Sequence, residues 1–253
     1  MKRFDYLQEI DCLCEIEKFN PYHDHLGRFA PAPGSGGANP RQTDLSQAQH
    51  YRAIEFGEAT TRERGTAVLQ GRKVESSDFD VWVSDKVTFS RRSQHILNKE
   101  LTTAFEALPK IDGAVKPEVL VMDPMEIMRP MAAAYNPVQN TLYVNAAIFE
   151  KSTRAQLDGD YVGGTRLETT FYHEALHWHD AWKFKAAGGT ITKANYADYL
   201  ETQNRKAKKR LDSAGVTEDN VNKISDYAQE SYKKKNFDEV YTEYRVLKRF
   251  RKV

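Results

Sequence analysis

The segment over residues 171–182 constrains the fold most strongly, because its apolar residues recur with the period of an α-helix. Four of them, spaced four, three and four apart, form one apolar stripe: Phe171, Ala175, Trp178 and Trp182. His173, His177 and Asp180 fall on the opposite side of the same helix. The pattern therefore predicts a helix that packs one face into a core and turns the other face toward a cleft.

Two histidines on this helix are spaced for binding a metal ion. His173 and His177 are four residues apart, so both can offer an imidazole nitrogen to one ion at about 2.0–2.1 Å. Glu174 points about 100° further round the helix, where its carboxylate can accept a proton from water and pass it to a leaving amine. Buried structural histidines are the alternative interpretation of so short a motif. The apolar stripe favours a zinc site with Glu174 as its general base.

A catalytic zinc ion takes a third protein ligand, and three residues compete for that position. Asp180 lies on the histidine face, but its short side chain is one turn further along, which favours a role beside the site or on the helix surface. We expect His179 to be an exposed or partly packed histidine, because it points elsewhere on the helix. Glu239 lies on a predicted helix that begins near Phe237, and it shares a face with Glu243. One glutamate can bind metal while the other orients a ligand histidine, and two solvated glutamates are the alternative.

These motifs resemble the gluzincin branch of the zincin metallopeptidases, in which a helix with a glutamate ligand follows H-E-x-x-H. Within that branch, the pattern Tyr232-x-x-x-Asn236-x-x-Glu239-x-x-x-Glu243 is similar to a segment of anthrax-lethal-factor-like peptidases. The resemblance implies that Glu239 is the third zinc ligand and that Glu243 supports a ligand histidine. It also implies that Tyr232 stabilises the oxyanion of the transition state, as a phenol hydroxyl can. Tyr227 is the alternative to Tyr232.

Two further segments bear on a zincin-like arrangement. The strand predicted over Thr141–Asn145 resembles the edge strand that zincins place beside the metal helix, and a peptide substrate can add to such an edge as one more strand. About sixty residues, rich in Lys and Ala, separate His177 from Glu239 and depart from the family pattern. Because of this insertion, Asp180 stays an alternative to Glu239 as the third ligand.

An N-terminal segment resembles a second group of proteins. Residues 19–30 read F-N-P-Y-H-D-H-L-G-R-F-A, which is similar to the F-N-P-x-H-x-x-x-G-R-F segment of tailed-phage head-morphogenesis and minor head proteins. The resemblance implies a phage or prophage setting, a location in the host cytoplasm or the virion, and contacts of residues 1–45 with other phage head proteins. A structured turn is the alternative interpretation.

Composition divides the chain into three parts. Residues 1–45 combine a predicted amphipathic helix with a Pro- and Gly-rich linker over 21–40. We expect residues 46–90 to form either a small β-containing subdomain or an extension of the upper lobe of a peptidase. We assign residues 91–253 to a zinc metallopeptidase domain with a mostly helical C-terminal half.

The predicted elements indicate an α+β fold, and the resemblance implies that it is of the zincin type, with a small mixed sheet beside the metal helix. Alternating runs over 79–83 and 87–89 are typical of strands, and a β-rich run covers 118–123. Apolar residues over 97–108 recur at helical spacing before Pro109. The fold class is therefore expected to be α+β, preceded by a helix and an extended linker.

The charge balance argues against several classes of partner. Lys and Arg number 37 and Asp and Glu number 36, a formal net charge of +1, so neither a nucleic-acid nor a membrane-surface partner is expected. The basic run Arg205–Arg210 is expected to be a solvated helix face. We expect no signal peptide and no transmembrane segment, and Cys12 and Cys14, the two cysteines, are too close for an ordinary disulfide.

Two functions are consistent with the sequence. The first is a zinc-dependent endopeptidase of phage or prophage origin, a hydrolase that acts on a protein or peptide substrate through His173, Glu174 and His177. The second is a virion structural or head-assembly protein that retains a zincin fold with little or no proteolytic role.

Overall fold

The part of the chain that the structure describes forms an α+β fold around one mixed sheet. The computed structural model describes residues 51–56, 67–76, 78–123, 132–150 and 167–250. The α+β class predicted from the sequence is confirmed. The predicted N-terminal helix, the phage-like segment and the linker all lie outside the described residues. Within those residues, no helix combines the length and apolar character needed to cross a bilayer.

The described strands form a single sheet whose centre is parallel. The strands are β1 (Tyr51–Phe56), β2 (Ala67–Val74), β3 (Val81–Ser84), β4 (Glu118–Met122), β5 (Ala133–Asn136) and β6 (Thr141–Asn145). Their order across the sheet is β1-β2-β3-β4-β6-β5. The pairs β3–β4 and β4–β6 are parallel, and the other neighbouring pairs are antiparallel. Val119, Leu120 and Val121 of β4 are all buried, as expected for a central parallel strand covered on both faces.

The sequence predicted the central strands better than their flanks. Strand β6 covers the predicted residues, and β4 covers all but the last of the predicted run. The prediction of a strand over 87–89 is wrong. These residues follow a turn in which the Val87 N–H donates to the Ser84 carbonyl at 3.0 Å. Val87 and Phe89 are buried in the core, so their alternation reflects packing rather than sheet pairing.

Strands β1 to β3 belong to the same sheet as the strands that follow. Val81 of β3 pairs with Val119 of β4 in parallel register, and β2 continues the sheet on the other side of β3. The boundary drawn at residue 90 therefore does not divide the sheet. These strands extend the sheet on the side of β3 away from β4.

The described ranges contain five helices of eight or more residues. They are α1 (Arg91–Glu106), α2 (Leu167–Ala186), α3 (Tyr196–Ser213), α4 (Asp226–Lys233) and α5 (Phe237–Phe250). Short 3₁₀ turns cover Ala146–Phe149, Lys193–Asn195 and Val221–Lys223. The helices predicted before Pro109, around His173 and after Phe237 are confirmed.

Helix α2 is buried on more sides than the sequence predicted. It contacts α1, β5 and α5, and the apolar stripe packs into the core as expected, with Trp182 at its rim. The side of the helix that carries His173 was expected to face an open cleft. Instead, Tyr172, His173, Glu174 and Leu176 are also buried, because α5 covers His173 and β5 lies against Glu174. The two histidines therefore face a neighbouring helix.

Helix α3 occupies the long interval between His177 and Glu239. It packs against α5, with Tyr199, Gln203, Ala207 and Leu211 on its buried side. Arg205 and Arg210, the two ends of the basic run, are exposed. The prediction that this run is a solvated helix face is confirmed.

Candidate metal centre

Three side chains from two helices converge on one point. Ligand atoms of His173, His177 and Glu239 all lie within 4.8 Å of one another. The Nε2 atoms of the histidines are 3.1 Å apart, and Glu239 Oε2 and Oε1 lie 3.0 Å and 3.3 Å from the Nε2 atoms of His173 and His177. Ligand atoms of a tetrahedral zinc ion at about 2.0–2.1 Å are separated by roughly 3.3 Å. The residues present therefore fit a metal ion of this size.

Helical spacing and tertiary packing each supply part of this cluster. His173 and His177 are one turn apart on α2, so the helix itself brings their rings to a centroid distance of 4.9 Å. Glu239 comes from the first turn of α5, and the contact between α2 and α5 brings it to the histidines. Side-chain exposure is 9% for His173 and 19% for His177. The second histidine thus marks the more open side of the cluster.

A chain of hydrogen bonds fixes the ring of His173. Its Nδ1 lies 2.9 Å from Glu243 Oε1, which turns Nε2 toward Glu239. The Ser225 hydroxyl donates to Glu243 Oε2 at 2.8 Å and also accepts from the Ala228 N–H, where it caps α4. A carboxylate on the free ring nitrogen of a histidine fixes the tautomer that ligates metal. The structure therefore places Glu243 where the sequence predicted a supporting carboxylate.

Glu174 is held against the edge of the sheet beside the cluster. Its Oε2 accepts the Tyr135 N–H at 2.8 Å. The Ala132 carbonyl, just before β5, accepts the Asn145 N–H of β6. Because successive residues of a strand alternate in direction, the backbone N–H and C=O of Tyr135, three residues later, face away from β6. Burial raises the pKa of Glu174, and the nearby histidines oppose that rise. A buried carboxylate of raised pKa is suited to exchanging protons near neutral pH.

Space for water lies next to this carboxylate. A cavity of about 20 Å³ is bordered by Glu174, His173, Thr169 and Ala133. That volume is sufficient for a water molecule. Glu174 thus borders both the metal-binding cluster and a site where water fits.

The strand at the sheet edge is β5 rather than the predicted one. The prediction that Thr141–Asn145 is the edge strand is wrong, because this strand, β6, lies between β4 and β5. Strand β5 is only four residues long, too short for its pattern to be recognised in the sequence. It packs against α2 and is the strand that reaches Glu174.

Asp180 and His179 take places away from the cluster. Asp180 Oδ2 accepts from Arg245 Nη1 at 2.6 Å, which links α2 to α5 one turn beyond the glutamates. Burial opposes ionisation of Asp180, but contacts with His179 and Arg245 outweigh it and lower the pKa. The expectation that His179 is exposed or partly packed is wrong, since its side chain is 1% exposed. The ring of His179 is buried on a side of α2 that lies outside the apolar stripe, so the stripe did not predict its burial.

The two candidate tyrosines lie in different surroundings. The Tyr227 ring is 6.4 Å from the His173 ring, centroid to centroid. The Tyr232 ring packs edge-on against Phe237 at 5.3 Å and lies near Lys208 of α3. The residues are five apart on α4, which turns them to different sides of the helix. Tyr227, the alternative, is therefore the tyrosine that the structure places beside a candidate ligand, and Tyr232 faces α3.

Asp238 is a further carboxylate beside the cluster, and it was not predicted from the sequence. Its Oδ2 lies 3.7 Å from His177 Nδ1, and burial raises its pKa to about 6. Asp238 directly precedes Glu239 in the first turn of α5, so the helix carries both carboxylates to the same histidine. Its position next to Glu239 is the sequence feature from which Asp238 could have been predicted to lie near His177.

The protonation of the cluster predicts opposite effects of pH on metal binding and on stability. Burial lowers the pKa of His177, but the charge of Glu239 outweighs it and raises the pKa from 6.5 to about 9. In protein freed of metal by a chelator, the stabilising charge pair is complete below pH 6.5 and is lost as pH rises through 9. Zinc needs the neutral ring, so its apparent affinity should rise by up to about tenfold per pH unit for each proton released.

Urea unfolding of the chelator-treated protein and zinc competition titrations, both between pH 6.5 and 9, measure these trends. We expect stability to fall and zinc affinity to rise across this window. Curves that are flat, or that change in the same direction, contradict the assigned charge pair.

Comparison of the chain with models of protein families, with curated proteins and with solved structures finds no match. The geometry of the site therefore carries the functional argument.

Proposed function

We propose that the protein is a zinc-dependent endopeptidase of the gluzincin type. The observation that carries this proposal is the convergence of His173, His177 and Glu239 on one point, with the buried carboxylate of Glu174 beside it. Two imidazoles and one carboxylate are a ligand set that catalytic zinc takes, with the fourth position left to water or substrate. The spacing of H-E-x-x-H followed by a glutamate helix supports the same class.

Each residue of the site has a distinct task in this proposal. His173, His177 and Glu239 hold the ion, and Glu243 orients His173. A bound zinc ion supplies an electrophile that polarises the scissile carbonyl and makes water more acidic. Glu174 accepts a proton from the attacking water and then donates it to the amine of the leaving group. The Tyr135 N–H holds the carboxylate of Glu174 in place for both transfers.

The surroundings of the site suit a peptide in extended conformation. Strand β5 is at the edge of the described sheet, and it lies beside α2. The backbone groups of Ala133 face away from β6, as does the Tyr135 N–H that is bonded to Glu174, so a peptide can pair with Ala133 as an added strand. Tyr227 takes the role of oxyanion donor in this proposal, in place of Tyr232.

The direct test is the metal content and chelator sensitivity of the purified protein. Protein prepared without chelators should contain about one zinc per chain, measured by inductively coupled plasma mass spectrometry. It should cleave an unfolded protein substrate, and 1,10-phenanthroline should abolish this cleavage until zinc is restored. Protein that neither contains zinc nor takes it up rules out the proposal.

A further inference from the structure

Besides packing against α5, helix α3 has one asparagine side chain that forms hydrogen bonds with the backbone at the start of α5. Asn204 lies in the middle of α3, and its carboxamide reaches the turn between α4 and α5. Its Oδ1 accepts the N–H groups of Phe237 at 2.5 Å and of Asp238 at 3.1 Å. Its Nδ2 donates to the Lys235 carbonyl at 2.8 Å. One side chain thus makes three hydrogen bonds, one to the turn and two to the start of the following helix.

The first N–H groups of a helix have no partner within the helix, so a side-chain acceptor there stabilises the helix start. Such an acceptor usually comes from the residue just before the helix. Here Asn204 supplies one from a different helix, 33 positions away from Phe237 in sequence. The position of the α5 N-terminus is therefore tied to α3 as well as to α4.

The turn that Asn204 contacts is under backbone strain. Lys235 has a φ of 61°, a left-handed conformation in which glycine is favoured. The Asn236 N–H donates to the Ser231 carbonyl and the Lys235 N–H donates to the Tyr232 carbonyl, the pattern of a helix C-terminal motif that reverses the chain. A hydrogen bond from Asn204 to the carbonyl of Lys235 helps to hold this residue in place.

The same turn delivers two carboxylates to the metal cluster. Asp238 and Glu239 are the second and third residues of α5, and the backbone N–H of Asp238 is one of the groups bound by Asn204. A shift or fraying of this first turn would move Glu239 directly. Ligand atoms spaced as closely as those of the cluster tolerate little displacement before a metal ion is held less tightly.

We propose that Asn204 is a positioning residue for the metal site. By bonding the start of α5, it lets α3, which lies between the histidine helix and the glutamate helix in sequence, fix the position of Glu239. This inference rests on the metal site of the proposed function. It gives α3 a role in metal binding, although none of its residues belongs to the cluster.

The test compares Asn204→Ala with the matched control Asn220→Ala. Asn220 also uses its carboxamide to bond the backbone, with Oδ1 accepting from Thr217 and Nδ2 donating to Gly215, but it lies in a local loop after α3. We expect Asn204→Ala to weaken zinc binding about fivefold, the fold-change that matches loss of a typical helix cap. Asn220→Ala should bind zinc as the unaltered protein does. Competition with a chromogenic chelator measures both constants.

A second readout separates positioning from general stabilisation. A purely structural role would lower the Tm of metal-free and zinc-loaded protein equally, whereas a positioning role reduces the increase in Tm that zinc produces. Asn204→Asp keeps the acceptor for both N–H groups and should restore most of the zinc affinity. If Asn204→Ala does not fold, Asn204→Ser takes its place, and an intermediate loss of affinity is expected.

This inference is overturned if the folded Asn204 variant binds zinc within about twofold of the unaltered protein and its zinc-induced shift in Tm is unchanged. That outcome leaves the proposed function intact. Absence of zinc binding by the unaltered protein overturns both.

Discussion

Replacement of Glu174 by Gln is expected to lower kcat/KM for peptide hydrolysis by about 10²–10⁴-fold, the usual contribution of general acid–base catalysis, while zinc content stays at the level of the unaltered protein. Glutamine keeps an oxygen that can accept the Tyr135 N–H, so the local structure is retained. It cannot accept or return a proton. Activity assays and metal analysis on the same preparation measure the two effects separately.

The control for this change is Glu201→Gln, the same substitution at an exposed residue of α3, which should leave activity unaltered. A Glu174→Gln protein that retains zinc and full activity would show that Glu174 is not the base. Loss of zinc in this variant would instead point to Glu174 as a ligand.

Replacement of Glu239 by Ala is expected to reduce zinc affinity by more than about 100-fold. Removal of a carboxylate that only orients a ligand costs at most about 100-fold, and loss of a ligand should cost more. Glu239 lies 3.0 Å and 3.3 Å from the two Nε2 atoms of the histidines, so its removal leaves two ligands. Glu243→Ala should fall within the range of about 10–100-fold, since Glu243 acts through His173. Chelator competition resolves these steps.

Asp180→Asn is the control that decides between the two candidates for third ligand. Asp180 bonds Arg245 rather than a histidine of the cluster, so this variant should keep its zinc. If Asp180→Asn loses zinc as strongly as Glu239→Ala, the assignment of Glu239 is wrong.

The parts of the site that were predictable are those set by local periodicity. His173 and His177 are one helical turn apart, and that relation holds wherever the helix packs. Glu239 and Glu243 are related in the same way on a second helix, which is why one can face the cluster while the other reaches His173 Nδ1. The central strands were also predictable, because their apolar runs are buried on both faces.

The remaining features of the site depend on how the helices and strands pack against one another, and the periodicity of the sequence does not encode this packing. Helix α4 has two tyrosines on different sides, and only its docking decides that Tyr227 faces His173 while Tyr232 faces Phe237. His179 is buried because α2 is enclosed on several sides, although the sequence marked only one apolar stripe. The bonds from Asn204 to α5 join residues more than thirty positions apart and leave no local pattern.

The ligand set also links distant parts of the chain. His173 and Glu239 are 66 positions apart, so an ion held by both closes a long loop, as a disulfide would, and disfavours unfolded conformations in which the loop is open. Bound zinc would then act as a reversible cross-link. A chelator that stops catalysis would at the same time shorten the lifetime of the folded chain, so that loss of activity and exposure to degradation would share one cause.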